Sequence, residues 1–179
     1  KLDNCPQLNG ALRIENSPLL QELSIKNTGI STINFATSLR NLKTASFAGC
    51  TSLEHLDLTS WDVSRIANMS EMFRGCSGLK TLNVTGWDTS KVTNMSHMFN
   101  GCKNLESLDL SSWDVRNVTS FFATFSSCEK LKTINITGWR LDNATSVRSM
   151  FAFCKALTNV NVNGLYMPKC TSTESMFEG

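Results

Sequence analysis

The sequence predicts an α/β solenoid, with parallel strands on one face and short helices on the other. Three series at one step carry this. Cys50, Cys76, Cys102, Cys128 and Cys154 stand 26 residues apart. Phe47, Phe73, Phe99, Phe125, Phe151 and Phe177 keep the same step, as do Trp61, Trp87, Trp113 and Trp139, with Leu165 in the fifth place. An apolar triplet travels with them: Leu53, Leu56, Leu58; Leu79, Leu82, Val84; Leu105, Leu108, Leu110; Leu131, Ile134, Ile136; Leu157, Val160, Val162. Self-similarity at such a period means stacked units that bury their apolar faces against their neighbours.

Each unit reads locally. Thr81-Leu82-Asn83-Val84-Thr85 alternates apolar and polar residues, the mark of a strand with one buried face. Gly86 to Ser90 forms a turn region. Val92, Met95, Met98, Phe99 and Cys102 recur at helical spacing, predicting a short helix. Asp88, Ser90 or Thr93 would cap its start and Gly101 would end it. Residues 50–179 hold five such units, and residues 1–49 form irregular N-terminal repeats or a cap.

Composition narrows the functions. The chain has 179 residues, 41% hydrophobic and 18% charged, with a formal charge of +2. Near-neutrality argues against nucleic acid as a partner, and no apolar run approaches the ~20 residues of a membrane helix. Lys1 at its head, and a cut in mid-repeat after Gly179, suggest a processed or excised piece of a longer protein. The seven cysteines form no C-x-x-C pair, so neither a zinc site nor a redox dithiol is indicated. Side chains on parallel in-register units point the same way, and helices packed ~8–10 Å apart would hold the column thiols beyond disulfide reach, so they read as core groups. His55 reads as a strand-face residue and His97 as a helix residue, both solvated; neither has a Ser or Cys partner at a recognisable spacing. No cofactor is expected and no catalytic residue stands out.

The stretches Ser60–Cys76 and Gly86–Cys102 share the pattern W-D-[VT]-S-x-[VI]-x-N-M-S-x-M-F-x-G-C, preceded by L-x-x-L-x-L. This resembles the BspA-like leucine-rich repeat surface proteins of bacteria and some protists. Later units drift, Phe121-Phe122 replacing the Asn-Met pair and Arg140 standing where Asp follows Trp. The resemblance implies a leucine-rich-repeat solenoid that is extracellular or at a cell surface and binds other surfaces.

The candidate site is the outward side of the strands. Alternation turns out His55, Asp57 and Thr59; Thr81, Asn83 and Thr85; Ser107, Asp109 and Ser111; Thr133, Asn135 and Thr137; and Asn159, Asn161 and Asn163. At ~4.8 Å between strands these make a grid of short hydrogen-bonding groups. Such a grid suits an extracellular matrix protein or polysaccharide. A regular surface such as ice is the alternative, and a passive spacer role is another. Asp57 and Asp109, ~9.6 Å apart with Asn83 between them, are a poor acid–base pair on an open face. Six glycosylation sequons, at Asn68, Asn83, Asn94, Asn117, Asn135 and Asn143, follow from the repeat itself.

Overall fold

The computed structural model describes every residue except Asn16, Thr37, Asn161, Asn163 and Gly164. Among the described residues the chain winds as a solenoid of parallel strands. The strands are β1 (Asn9–Ile14), β2 (Glu22–Ser24), β3 (Gly29–Phe35), β4 (Thr44–Ser46), β5 (His55–Asp57), β6 (Thr81–Asn83), β7 (Ser107–Asp109), β8 (Thr133–Asn135) and β9 (Asn159–Val160). β1, β3 and β5 to β9 lie in the front wall, and β2 and β4 start the back wall. All pairings are parallel: β1 with β3, β2 with β4, β5 with β6, and β7 with β8 and β9.

No helix is present among the described residues, so the expected helical face is corrected. The residues at helical spacing sit instead in successive turns. Val92 donates to the Thr89 carbonyl (2.9 Å), Met98 to Met95 (3.2 Å) and Cys102 to Phe99 (3.0 Å), three residues back each time. Three-residue turns put every third or fourth side chain inward, which mimics helical periodicity. The intervening amides leave the coil altogether. Met95, His97, Phe99 and Gly101 donate to the carbonyls of Ser120, Phe122, Thr124 and Ser126 in the next coil.

Size explains why. A helix is ~10–12 Å across, whereas paired strands stand ~4.8 Å apart. In the back wall the phenylalanine rings stack at 5.6 Å (Phe47–Phe73), 5.5 Å (Phe73–Phe99), 5.4 Å (Phe99–Phe125) and 5.2 Å (Phe125–Phe151). Both walls therefore advance at nearly the strand spacing, and no helix fits. Trp61, Trp87 and Trp113 stack likewise, at 6.5 and 5.8 Å.

Two left-handed positions per coil enforce the turns. One is Glu71, His97, Ala123, Ser149 and Ser175, with φ from 52° to 58°. The other runs through Asn4, Asn27, Gly49, Gly75, Gly101, Ser127, Phe153 and Gly179, marking eight successive passes of the chain. Glycine serves this column because it lacks the Cβ that penalises φ > 0. Its spacing is 23 and 22 residues before Gly49 and 26 after it, so residues 1–49 wind as shorter coils of the same solenoid. Ser149→Gly is therefore expected to raise stability by about 0.5–1 kcal/mol in chemical denaturation. In a helix the same change would lower it.

The core runs unbroken from Ile25 to Cys154. Its thiols are all free, yet not because the coils are far apart. At this spacing the parallel cysteines are near neighbours whose side chains point the same way. Each Sγ turns to a carbonyl of the preceding coil: Cys76 to Phe47 (3.1 Å), Cys102 to Phe73 (3.1 Å), Cys128 to Phe99 (3.2 Å) and Cys154 to Phe125 (3.0 Å). Cys170 is only half-buried and Cys5 is exposed. The back-wall bridges pair Asn94 with Ser120, so Ser120-Phe121 takes the Asn-Met place and Phe122 that of Ser96.

Candidate functional site

The short strands put the predicted residues on one face. His55, Asp57, Thr59, Thr81, Asn83, Thr85, Ser107, Asp109, Ser111, Thr133, Asn135, Thr137 and Asn159 are all exposed. Between them Leu56, Leu108 and Ile134 turn inward and are buried, and Leu82 is half-buried. Asn161 and Asn163 lie outside the described residues. In register, His55 stands beside Thr81 and Asp57 beside Asn83. Ser107 and Asp109 stand beside Thr133 and Asn135, and Thr133 beside Asn159.

The central column has a local task the alternation did not reveal. Asp57, Asn83, Asp109 and Asn135 each end a strand, and each Oδ1 accepts the amide two residues on. The acceptor distances are 3.0 Å from Thr59, 3.2 Å from Thr85, 3.0 Å from Ser111 and 3.2 Å from Thr137. Asp and Asn are the residues that close such turns. The signal was the same residue class at the same distance before every tryptophan. Asp62, Asp88 and Asp114 repeat the device at the next corner, on Ser64, Ser90 and Arg116. Asp114 also takes the Arg116 guanidinium on both oxygens, at 2.9 Å on Oδ1 and 2.6 Å on Oδ2. The Ser111 amide and hydroxyl hold the Asp109 carboxyl below its ordinary value, so it stays ionised.

One edge of the face carries an ion-pair column that the sequence reading missed. Lys80 reaches Glu54 at 2.7 Å and Lys132 reaches Glu106 at 2.9 Å, lowering both glutamate pKa values. Opposite signs 26 residues apart would have revealed it. Exposed pairs of this kind add little stability. His55 Nδ1 lies 2.8 Å from the Thr81 hydroxyl. A depression of about 370 Å³ crosses this end of the face, over Ile33, Leu56 and Leu82.

His97 differs from its expected solvated state. It is half-buried in the back wall, its ring edge-on to Phe122 at 4.8 Å, and its Nδ1 has no partner. Burial and the nearby Arg74 lower its pKa. Among the described residues no group of three His, Cys, Asp or Glu could hold a metal ion, and no helix is long and apolar enough to cross a membrane. All six sequon side chains are hydrogen-bonded within the fold, those of Asn117 and Asn143 through Nδ2, which donates to the Ser90 and Arg116 carbonyls at 2.7 and 2.9 Å.

Comparison with known proteins agrees with this architecture. A family described as a BspA type leucine rich repeat region matches residues 4–120 in six copies. A second, described as a Mycoplasma protein of unknown function, DUF285, matches residues 73–179. No curated protein and no solved structure matches the chain. The two matched ranges overlap on coils that continue one ladder and one core. With stacked coils, an unbroken leucine, phenylalanine and cysteine interior and the matched repeats in agreement, the chain belongs to the BspA-type leucine-rich repeat family.

Proposed function

We propose that this chain is a surface-binding module, acting outside the cell or at its surface, which engages a matrix protein or glycan through the front face. The observation that carries the reading is that face itself. Thirteen of the fifteen candidate residues are described and all are exposed, in rows of short polar groups. Leucine-rich repeat arrays are typically binding or structural modules rather than enzymes, and the depression over Ile33, Leu56 and Leu82 lies open to water, which an acid–base site would have to exclude. A matrix or glycan ligand is favoured over ice because the ionised Asp109, and Asp57 in the same column, hold liquid water.

The test is binding of the protein to immobilised matrix proteins and glycans, compared with a variant carrying Thr81→Arg, Ser107→Arg and Thr133→Arg. These side chains are exposed and are not turn-closing groups, so the fold should stand. Binding is expected to fall at least about tenfold, from loss of surface complementarity. Unchanged binding by the triple variant would move the site off this face.

A further inference from the structure

Coil length changes within the front wall, and a groove opens where it does. β3 belongs to the short N-terminal coils and β5 to the 26-residue ones. β3 pairs with β1 and β5 with β6, and among the described residues no ladder joins β3 to β5. Over this seam lie two depressions of about 370 and 290 Å³, which share Ile33, Asn34 and Asp57 and so are continuous. Their size is that of small-ligand sites, ~300–1,000 Å³. The seam also adds Thr32 and Asn34, both exposed, to the polar face.

The floor of the groove is apolar. Ile33 and Leu56 are buried, whereas Leu82 and Phe35 are only half-buried and keep surface to offer. Leu82 stands out from its column, since Leu56, Leu108 and Ile134 at the same place in their strands are buried.

The rim is fixed before any ligand arrives. Asp57 Oδ1 accepts the Thr59 amide at 3.0 Å, and Asn83 Oδ1 accepts the Thr85 amide and hydroxyl at 3.2 and 2.9 Å. Among the described residues, Asp57 Oδ2 and Asn83 Nδ2 are left without a protein partner. Asp57 and Asn83 are in register on paired strands, so an acceptor and a donor stand side by side, ~4.8 Å apart. His55 is held likewise, its Nδ1 2.8 Å from the Thr81 hydroxyl. Groups already held in place lose little freedom on binding.

This combination selects a saccharide. A sugar ring has a C–H face that needs an apolar floor, and vicinal hydroxyls that donate to a carboxylate and accept from an amide. A folded protein is usually gripped by Trp, Tyr or Arg anchors, and none lines the groove. Asp57 lines both depressions and no Lys or Arg lines either, so the local charge disfavours an acidic sugar.

We propose that the groove binds a neutral oligosaccharide, one ring lying on Leu82 with its vicinal hydroxyls shared between Asp57 and Asn83, and the next reaching towards Phe35. This rests on the front face being the binding surface, and it chooses a neutral glycan over a matrix protein.

The test is titration of the protein with cellotriose, triacetylchitotriose and mannotriose, and with hyaluronan oligosaccharides as the acidic comparison, followed by backbone amide chemical shifts. The protein variant is Asn83→Asp, which replaces the Nδ2 donor by an acceptor. Aspartate already closes this turn at positions 57 and 109, so the variant keeps the fold. Asn68→Asp is the control, the same exchange at a turn closed on Ser70 in the back wall. At least one neutral trisaccharide should bind with a Kd of about 1 mM or tighter and shift the amides of Asn34, Asp57 and Asn83. Asn83→Asp should lose at least about tenfold in affinity while Asn68→Asp binds as the parent does. Equal affinities for parent and Asn83→Asp, equal losses in both variants, shifts clustered elsewhere, or a preference for hyaluronan each overturn the proposal. If no trisaccharide binds while matrix adhesion is lost in the triple arginine variant, the sugar site is wrong and the face stands. Adhesion that survives the triple variant removes the face as well.

Discussion

Replacing Phe99 by alanine is expected to lower stability by about 3–5 kcal/mol, the cost of a large cavity in a core that cannot close around it. Phe99 is fully buried and stacks on Phe73 at 5.5 Å and Phe125 at 5.4 Å, with Trp113 at 6.5 Å on its flank. Collapse is opposed by the backbone. The Phe99 amide bonds the Thr124 carbonyl and the Phe73 amide bonds that of Met98, so the coils are held at their spacing while the ring is missing. A solenoid's stability is a sum over units and their interfaces. Cutting two interfaces in mid-array should therefore also broaden or split the denaturant transition. Phe177→Ala is the control, since Phe177 is 57% exposed and, among the described residues, stacks only on Phe151. It should cost less than about 1 kcal/mol. Equal losses for the two variants would refute a continuous stacked core.

The largest kinetic effect concerns the thiols. In the native protein only Cys5 and Cys170 should react promptly with an aromatic disulfide reagent, the column thiols lagging by at least ~10³-fold, because they are attacked only after local opening. Burial raises the pKa values of Cys76, Cys102 and Cys128, and pushes that of Cys154 up to about 11. Cys154 should be the first of the column to yield, lying nearest the exposed end of the core. The sign of the pH effect follows. Folded pKa values above the ordinary 9.0 favour the folded state fully at lower pH. That contribution is lost as pH rises past 9.0, where the unfolded chain can ionise its cysteines. Rapid labelling of all seven thiols in the native state would contradict the packed interior.

How much was legible depended on which wall of the coil was read. In the front wall, alternation of period two has one structural meaning, and Leu56, Leu108 and Ile134 point inward as the pattern required. In the back wall, residues such as Val92, Met95, Met98, Phe99 and Cys102 suit a helix and a run of three-residue turns equally well. What separated the two was the φ of His97 and Gly101, and amides that bond across coils instead of along the chain. Neither is written in hydrophobic spacing. The turn-closing work of Asp57, Asn83, Asp109 and Asn135 was open to reading, because Asx residues two places before a Ser or Thr are a local signal. The pairing of Glu54 with Lys80 needed the coils in register first.

By itself the sequence determined the period, the interior columns, the parallel stacking and the chemical class of the exposed face, because a repeat of identical residues can bury its apolar side only against copies of itself. Tertiary structure alone decided the shape of the back wall. That shape depends on where backbone hydrogen bonds go when neighbours stand at strand spacing. That competition is settled between coils, not within any one of them.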